Sequence, residues 1–466
     1  MTRARFRHSL VAVALMLVGG TLIGGGCGDD TGAGGTGGGD AACDPVTQNG
    51  CFEGQTCEEV EDGTTGCFTP VLIKGRVFDF VTDDAIEGAH VVARDENGAS
   101  LSTVSITAAD GTYELPVPAK RDTSGAPVAR SFTLRADAAA YQSFPTPPRV
   151  ALPLDLADST GDPLVLQQPN SDIGLIALED TAGLGSISGQ VNAEVPGGTL
   201  VDAGGRTGVA DSDGNFVVFN VPAGTVDVNG YKQGLNFDAV QVDVAAGEET
   251  ANVAINANDN PAVTVSGTVQ IVNAMGGSAT SVILVLESTF IESLARGEAP
   301  PGLRAAGVSG AFSIEGVPDG QYVVLAAFEN DGLVRDPDTS IGGTEIVHIT
   351  VAGQDVAISE GFKVTGALAV VSPGANEIET VSGELILTWE DDSSEDAYVV
   401  QVFDALGTMV WETMGVFDPG GNDPASTPYG GPALEPGNLY QFRATSIKDG
   451  TPISSTEDLK GVFLVE

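Results

Sequence analysis

Four of the five cysteines of the chain lie close together, at Cys43, Cys51, Cys57 and Cys67. Thiols clustered in this way either oxidise to disulfides or hold a metal ion. Zinc motifs usually pair cysteines at gaps of about two to four residues, whereas these gaps are wider and no histidine lies nearby. So short a segment cannot bury enough apolar surface to be stable by itself. In an oxidising compartment, disulfides stabilise such segments instead. We therefore expect a small disulfide module at residues 43–68, with its pairing left open.

An acidic turn in the middle of the chain is the best candidate for a metal site. The oxygen-bearing side chains of Asp211, Asp213 and Asn215 stand at alternate positions, as they do at the start of a calcium-binding loop. The later glycine and bidentate glutamate of an EF-hand are missing, so a plain hairpin turn is the alternative. The sequence predicts no other cofactor than this possible Ca²⁺. Asp391, Asp392, Glu395 and Asp396 form a second acidic turn with the same two interpretations.

Residues suited to catalysis are scarce. The three histidines are His8, His90 and His348, and the last two are expected on surface strands of different modules. No zinc-hydrolase, nucleophile-elbow or P-loop motif is present. A carboxylate pair for glycoside hydrolysis stays open because the chain has 64 acidic residues. We predict that the protein is not an enzyme and has no catalytic residues.

The overall charge excludes one class of partner. The 466 residues include 20 Lys and Arg against 64 Asp and Glu, a formal net charge of −44. Such a surface repels phosphate backbones, so nucleic acid is not an expected partner. The charge favours solubility and attracts cations.

The N-terminus has the order of an export signal. Arg3, Arg5 and Arg7 precede the apolar run 10–18, and small residues then lead to Cys27. This order resembles the bacterial lipoprotein signal, although Gly24 stands where that family usually has Leu. The resemblance implies cleavage of residues 1–26 and acylation of Cys27.

Lipid attachment also gives Cys27 a role, because it is the one cysteine outside the cluster. An ordinary signal peptide and a transmembrane anchor are the alternatives. Residues 28–42 are rich in Gly and are predicted to be a disordered tether, so residues 27–42 form the acylated Cys and tether. The expected location is the outer membrane or cell surface of a Gram-negative bacterium, with the lipid bilayer as a partner.

Three later segments repeat one pattern of short alternating strands. Each has a glycine between apolar residues in its first strand and a tight turn followed by an aromatic residue. Asp-Gly or Ser-Gly supplies the positive-φ position of that turn. The glycines are Gly75, Gly189 and Gly267, and the aromatic residues are Tyr113, Phe216 and Phe312. In the last two segments Val-Pro-x-Gly follows the aromatic strand.

This pattern resembles the carboxypeptidase regulatory-like family across roughly residues 71–368. The resemblance implies three transthyretin-type (prealbumin-like) β-sandwiches, at residues 71–180, 185–258 and 262–366. The family is grouped with carbohydrate-binding-like folds and occurs in surface proteins as a stalk. The fold class predicted for the whole chain is all-β, with tandem antiparallel β-sandwiches of prealbumin-like and Ig-like type.

The last segment, residues 367–466, differs from the three repeats. A Leu434 six residues before Tyr440, with Pro-Gly between them, resembles the tyrosine corner of fibronectin type III domains. The resemblance implies that the Tyr440 hydroxyl bonds back onto the turn and that Trp389 is the core tryptophan.

An insertion at residues 287–307 interrupts the third repeat, with a short helix expected over 289–296. It is either a contact surface or a loop packed on its own module. We predict a membrane-anchored stalk and contact surface for an envelope protein or polysaccharide. The alternatives are a carbohydrate-binding protein, an accessory subunit of an envelope enzyme and a calcium-dependent adhesin. Exposed Trp411, Tyr429 and Tyr440 would favour glycan binding.

Overall fold

The structure, a computed structural model, describes residues 43–45, 48–272, 277–292, 295–326, 333–335, 346–391, 395–415 and 423–466. The predicted signal peptide, Cys27, the tether and Asp392 lie outside these residues. The described chain is built from strands, which confirms the all-β prediction. The described residues include the 3₁₀ turns Leu156–Asp158, Pro169–Ser171 and Glu287–Thr289. None of the helices in the described ranges is long and apolar enough to cross a bilayer.

The disulfide module is a two-stranded hairpin, β1 (Thr56–Glu59) and β2 (Thr65–Phe68). Its four cysteines pair as Cys43–Cys57 and Cys51–Cys67, with Cα atoms 5.7 and 5.4 Å apart. The cysteines of the two strands stand opposite each other, so both disulfides meet at the hairpin. The prediction of a disulfide module is confirmed.

The first sandwich contains the strands β3 (Val71–Asp79), β4 (His90–Arg94), β5 (Ser105–Ile106), β6 (Thr112–Val117), β7 (Ser131–Asp137), β8 (Leu154–Asp155), β9 (Val165–Leu166) and β10 (Ile173–Leu175). One sheet is centred on β3, which pairs with β6, β9 and β10, and the other has the order β5-β4-β7-β8.

The second sandwich contains β11 (Leu184–Asn192), β12 (Leu200–Ala203), β13 (Arg206–Val209), β14 (Asn215–Pro222), β15 (Gly224–Tyr231), β16 (Asn236–Phe237), β17 (Val240–Val244) and β18 (Glu249–Asn258). Its sheets have the orders β14-β11-β18-β16 and β13-β12-β15-β17.

The third sandwich contains β19 (Val263–Ile271), β20 (Thr280–Leu286), β21 (Arg304–Val308), β22 (Ala311–Val317), β23 (Gly320–Ala326), β24 (Leu333–Arg335), β25 (Val347–Val351), β26 (Val356–Ala357) and β27 (Phe362–Gly366). One sheet has the order β22-β19-β27-β24, with β26 also on β19, and the other has the order β21-β20-β23-β25.

The C-terminal sandwich contains β28 (Val370–Ser372), β29 (Glu379–Val381), β30 (Ile386–Trp389), β31 (Ala397–Asp404), β32 (Met409–Gly415), β33 (Ala425–Pro428), β34 (Leu439–Lys448), β35 (Thr451–Ser455) and β36 (Val462–Val465). Its sheets have the orders β28-β30-β33 and β29-β36-β34-β31-β32, with β35 also on β34.

The two repeated sequence features of the first three sandwiches are partners across one pair of strands. Gly75 stands opposite Tyr113, Gly189 opposite Phe216 and Gly267 opposite Phe312. In each pair the aromatic side chain covers the glycine, and its nearest atom lies 2.7–3.0 Å from where a Cβ would stand. Because all three aromatic side chains are at most 5% exposed, this pair fills the same core position in each sandwich.

Pairing in the sheets is mostly antiparallel, as predicted, and parallel pairs occur at the first strand of each repeat. The first strand of each repeat lies between an antiparallel strand and a parallel one: β11, for example, pairs antiparallel with β14 and parallel with β18. A parallel partner needs a long crossover rather than a hairpin, and the strands of the second sheet of each sandwich form this crossover.

The predicted positive φ at the turn glycine is found in two of the three repeats. Gly111 and Gly214 have φ of 77° and 87°, whereas Gly310 is outside the left-handed region.

Two core residues of the C-terminal sandwich lie as predicted. Trp389 is 0% exposed and packs edge-to-face on Tyr398, with ring centroids 5.2 Å apart. The Tyr440 hydroxyl is also placed as predicted, since it accepts a hydrogen bond of 3.0 Å from the Glu435 backbone N–H. This bond ties the start of β34 to the turn before it.

Candidate functional site

The acidic turn of the second sandwich uses its first carboxylate to hold itself together. Asp211 Oδ1 accepts hydrogen bonds from the backbone N–H groups of Asp213 and Asn215, at 2.9 and 2.8 Å. The Asn215 side-chain amide donates to the other carboxylate oxygen at 3.1 Å. Asp213 and Asn215 are exposed. The turn therefore has the bonding of a capped hairpin, and calcium binding at these three residues stays a prediction.

The two described histidines have different environments. His348 is exposed on β25, as predicted, and its Nδ1 lies 2.7 Å from Glu287 Oε2. His90 is only 8% exposed, so its predicted placement on the surface is wrong. Its ring packs edge-to-face on Phe219 of the second sandwich, with centroids 5.1 Å apart. Burial there lowers the pKa of His90, while Asp137 and Asp211 act in the opposite direction.

The predicted aromatic patch is only partly exposed. Tyr440 is 5% exposed and belongs to the core. Trp411 and Tyr429 are half-buried and pack edge-to-face on each other, with ring centroids 5.0 Å apart. The Tyr429 hydroxyl donates to the Pro432 carbonyl at 2.8 Å. The three residues thus do not form one flat exposed platform for a sugar ring.

A buried ion pair attaches the disulfide module to the first sandwich. Arg121 Nε donates to Glu58 Oε2 at 2.5 Å, and the two side chains are 2% and 1% exposed. The same guanidinium donates to the Thr69 carbonyl and lies over the Phe68 ring, 5.0 Å from its centroid. A charge this well buried requires its partner, so the module is docked on the sandwich.

Three sandwiches meet around the guanidinium of Arg135. This side chain, 6% exposed, lies on β7 of the first sandwich and pairs with Asp137 at 2.6 Å. It also donates to Glu298 of the insertion at 2.6 Å, and to the carbonyl and hydroxyl of Thr207 in the second sandwich at 3.2 and 3.0 Å. Burial alone would lower the pKa of Arg135, but the two carboxylates outweigh it and raise the pKa.

The insertion makes further contacts with other sandwiches. Glu298 also pairs with Arg94 of the first sandwich. Arg304 pairs with Asp95 and Glu96 of the same sandwich, at 3.3 and 3.0 Å. Arg296 pairs with Asp458 of the C-terminal sandwich. Residues 293–294 of the expected helix over 289–296 lie outside the described residues. The described part has the 3₁₀ turn Glu287–Thr289, a bridge between residues 291 and 296, and Glu292 in 3₁₀ conformation.

A buried carboxyl group faces the insertion from the second sandwich. Asp202 on β12 is 5% exposed, and its Oδ1 is buried without a hydrogen-bond partner among the described residues. Burial raises the pKa of Asp202 to about 6. Its negative charge in turn contributes to the raised pKa of Tyr231, about 12, for which burial is the larger cause.

The first and last sandwiches also touch directly. Arg149 donates to the Gly174 and Leu406 carbonyls, both at 2.7 Å, and its guanidinium stacks on Phe80 and Phe144. Beside it, Leu152 packs with an apolar group from the C-terminal sandwich: Phe403, Leu439 and Val462. The first sandwich therefore contacts each of the other three.

Comparison with known proteins identifies no family. No protein-family model matches the chain, and no curated protein matches it. The family resemblances drawn from the sequence therefore stay predictions.

Solved structures show weak likeness. A DUF3823 family protein from Bacteroides ovatus is 10% identical, with TM-score 0.22 and coverage of 44% of this chain and 100% of that chain. The Bacillus anthracis TIE protein is 11% identical, with TM-score 0.15 and coverage of 84% and 73%. The major pilin subunit of Bacillus cereus is 8% identical, with TM-score 0.16 and coverage of 64% and 99%. Scores this low carry no argument about function, which must be inferred from the chain's own residues.

Proposed function

We propose that this chain is an exported, non-enzymatic lipoprotein that Cys27 anchors to the outer membrane or cell surface of a Gram-negative bacterium. Its sandwiches, held against one another, present a contact surface for an envelope protein or polysaccharide. The observation that carries the proposal is the use of the buried charges. Arg121, Arg135 and Glu298 each bind a partner in another module, so these groups hold modules together and are not available to act on a substrate.

Two other properties support an extracellular contact role. Both disulfides of the N-terminal module require an oxidising compartment to persist. The net charge of −44 keeps the surface soluble and directs it towards neutral or cationic partners.

Glycan binding is the second candidate, and one observation favours it. Trp411 and Tyr429 are both half-exposed and adjacent on the C-terminal sandwich, and paired aromatic side chains of this kind can stack on a sugar. A glycan array probed with the full chain and with Trp411→Ala tests this candidate. Loss of a glycan signal in the variant alone would support it, and a wild-type chain that binds no glycan would exclude it.

The anchoring proposal is tested by expressing the full chain in a Gram-negative host fed with a labelled fatty acid. Wild type is expected to carry the label and to sediment with the outer membrane. Cys27→Ala should lose the label and leave the membrane fraction, while Thr31→Ala in the tether should behave as wild type. A Cys27→Ala chain that stays membrane-bound would contradict the proposal.

A further inference from the structure

The third sandwich has an apolar outer face that its own insertion and the first sandwich cover together. Strand β20 is buried along its whole length, on both of its faces. On the outer face, four side chains are each at most 2% exposed: Ile283, Val285, Val323 and Leu325. Ala99 of the first sandwich and Ala299 and Phe290 of the insertion pack against them. Without the first sandwich, the part of this patch that Ala99 covers would be exposed to water, and soluble proteins avoid large exposed apolar areas.

Ion pairs between the insertion and the first sandwich lie at this contact. Arg94 and Arg135 project from neighbouring strands of the first sandwich, and their side chains are 17% and 6% exposed. Burial lowers the pKa of Arg94, and the nearby positive charge of Arg135 lowers it further. The Glu298 carboxylate raises the pKa of Arg94 and so opposes both effects. Glu298 is thus the carboxylate shared by two buried cations, and it comes from the third sandwich.

The same insertion also holds the second sandwich. Arg135, which pairs with Glu298, also donates to the Thr207 hydroxyl at 3.0 Å. The Gln233 backbone N–H donates to the Pro301 carbonyl of the insertion at 3.3 Å. The Gly205 backbone of the second sandwich packs against Ser288 at the start of the insertion, so closely that a Cβ at Gly205 would lie 2.8 Å from the Ser288 carbonyl oxygen. The second sandwich therefore contacts residues of the insertion, or the arginine that it pairs with, at three points.

We infer that the insertion at residues 287–307 acts as a clasp that makes the first three sandwiches unfold as one cooperative unit, with Glu298 at its centre. Removing the charge of Glu298 leaves Arg94 and Arg135 buried with one carboxylate, Asp137, between them. A buried charge without its partner is strongly destabilising. In a chain that lacks the Glu298 charge, we therefore expect the first three sandwiches to separate from one another before the individual sandwiches unfold.

The inference is tested by calorimetry of the full chain with two variants of the insertion. Glu298→Gln removes the shared carboxylate, and Glu292→Gln makes the same chemical change at an exposed position. Wild type and Glu292→Gln are expected to show one shared transition for the first three sandwiches. Glu298→Gln should split this transition and lower its first midpoint by several degrees. A Glu298→Gln profile identical to that of Glu292→Gln would overturn the inference.

Hydrogen exchange of the wild-type chain gives a second measurement that does not depend on a variant folding. The slowest amides of β4 and β7 in the first sandwich, of β12 and β15 in the second and of β20 and β23 in the third should open together, with protection that agrees within about threefold. Cooperative units of this kind share one opening free energy. Protection that differs by a factor of about 100 or more between the sandwiches would overturn the inference.

Discussion

The interior of the sandwiches and the junctions between them are built in different ways. Inside, the glycine–aromatic pair recurs in three copies and is apolar, as in Gly189 opposite Phe216. Between the sandwiches, each contact is made once and combines apolar packing, as in Leu152 with Phe403, with charge pairs, as in Arg135 with Glu298. The comparison teaches that repetition along the sequence specifies each sandwich, whereas their mutual arrangement is specified by single residues that no repeat contains.

The largest effect is expected inside a sandwich. A methyl group at Gly189 would lie 1.8 Å from the Val253 carbonyl oxygen of the parallel strand. Gly189→Ala must push two paired strands apart, so we expect it to cost about 3 kcal/mol or more of unfolding free energy. Gly310→Ala, where no atom lies within 4 Å of the new methyl group, is the control and should change stability by less than about 0.5 kcal/mol. Urea unfolding measures both, and equal effects would contradict the role of Gly189.

The next effect is expected at a junction. Arg121→Gln leaves Glu58 buried without its cation, and breaking such a pair costs about 3 kcal/mol. We expect the disulfide module to undock and its link to the first sandwich to become sensitive to protease. Lys120→Gln changes an exposed neighbouring charge and should leave the digestion pattern as in wild type. Wild-type resistance in Arg121→Gln would show that the docking does not depend on this pair.

These two regions also differ in how far the sequence predicts them. The turn aromatics, Trp389 and the Tyr440 hydrogen bond are predictable because their partners lie a few residues away or recur in a local strand pattern. Arg94 and Glu298 are 204 residues apart, and a single arginine or glutamate carries no signal of such a partner. The surface position predicted for His90 is wrong for the same reason, since the ring that buries it, Phe219, belongs to another sandwich.

A pH-dependent effect is expected at the junction of the second sandwich with the insertion. The pKa of Asp202 rises from 3.8 to about 6, so the folded state retains its proton over that range while the unfolded state loses it. Stability therefore falls as the pH rises from about 4 through 6, by up to about 2–3 kcal/mol. Asp202→Asn should remove this part of the pH dependence. Unfolding free energies of both proteins at pH 4.5 and 7.5 check it, and parallel curves would contradict the burial of this charge.

The smallest effect is expected from one hydrogen bond inside the C-terminal sandwich. Tyr440→Phe deletes the bond to the Glu435 N–H and should cost about 1 kcal/mol. Tyr429→Phe deletes an exposed bond to Pro432 and should cost less. Thermal unfolding of the two variants ranks them, and a larger loss in Tyr429→Phe would contradict the assignment of Tyr440 as the corner residue.

A double-mutant cycle between Arg94 and Glu298 tests most directly whether single charged residues hold the sandwiches together. Arg94→Gln, Glu298→Gln and the double variant are compared with wild type by urea unfolding of the full chain. Because the two side chains pair across the junction, we predict a coupling of about 1–3 kcal/mol, with the double variant less destabilised than the sum of the single ones. Additivity within about 0.3 kcal/mol would mean that the pair does not join the first and third sandwiches.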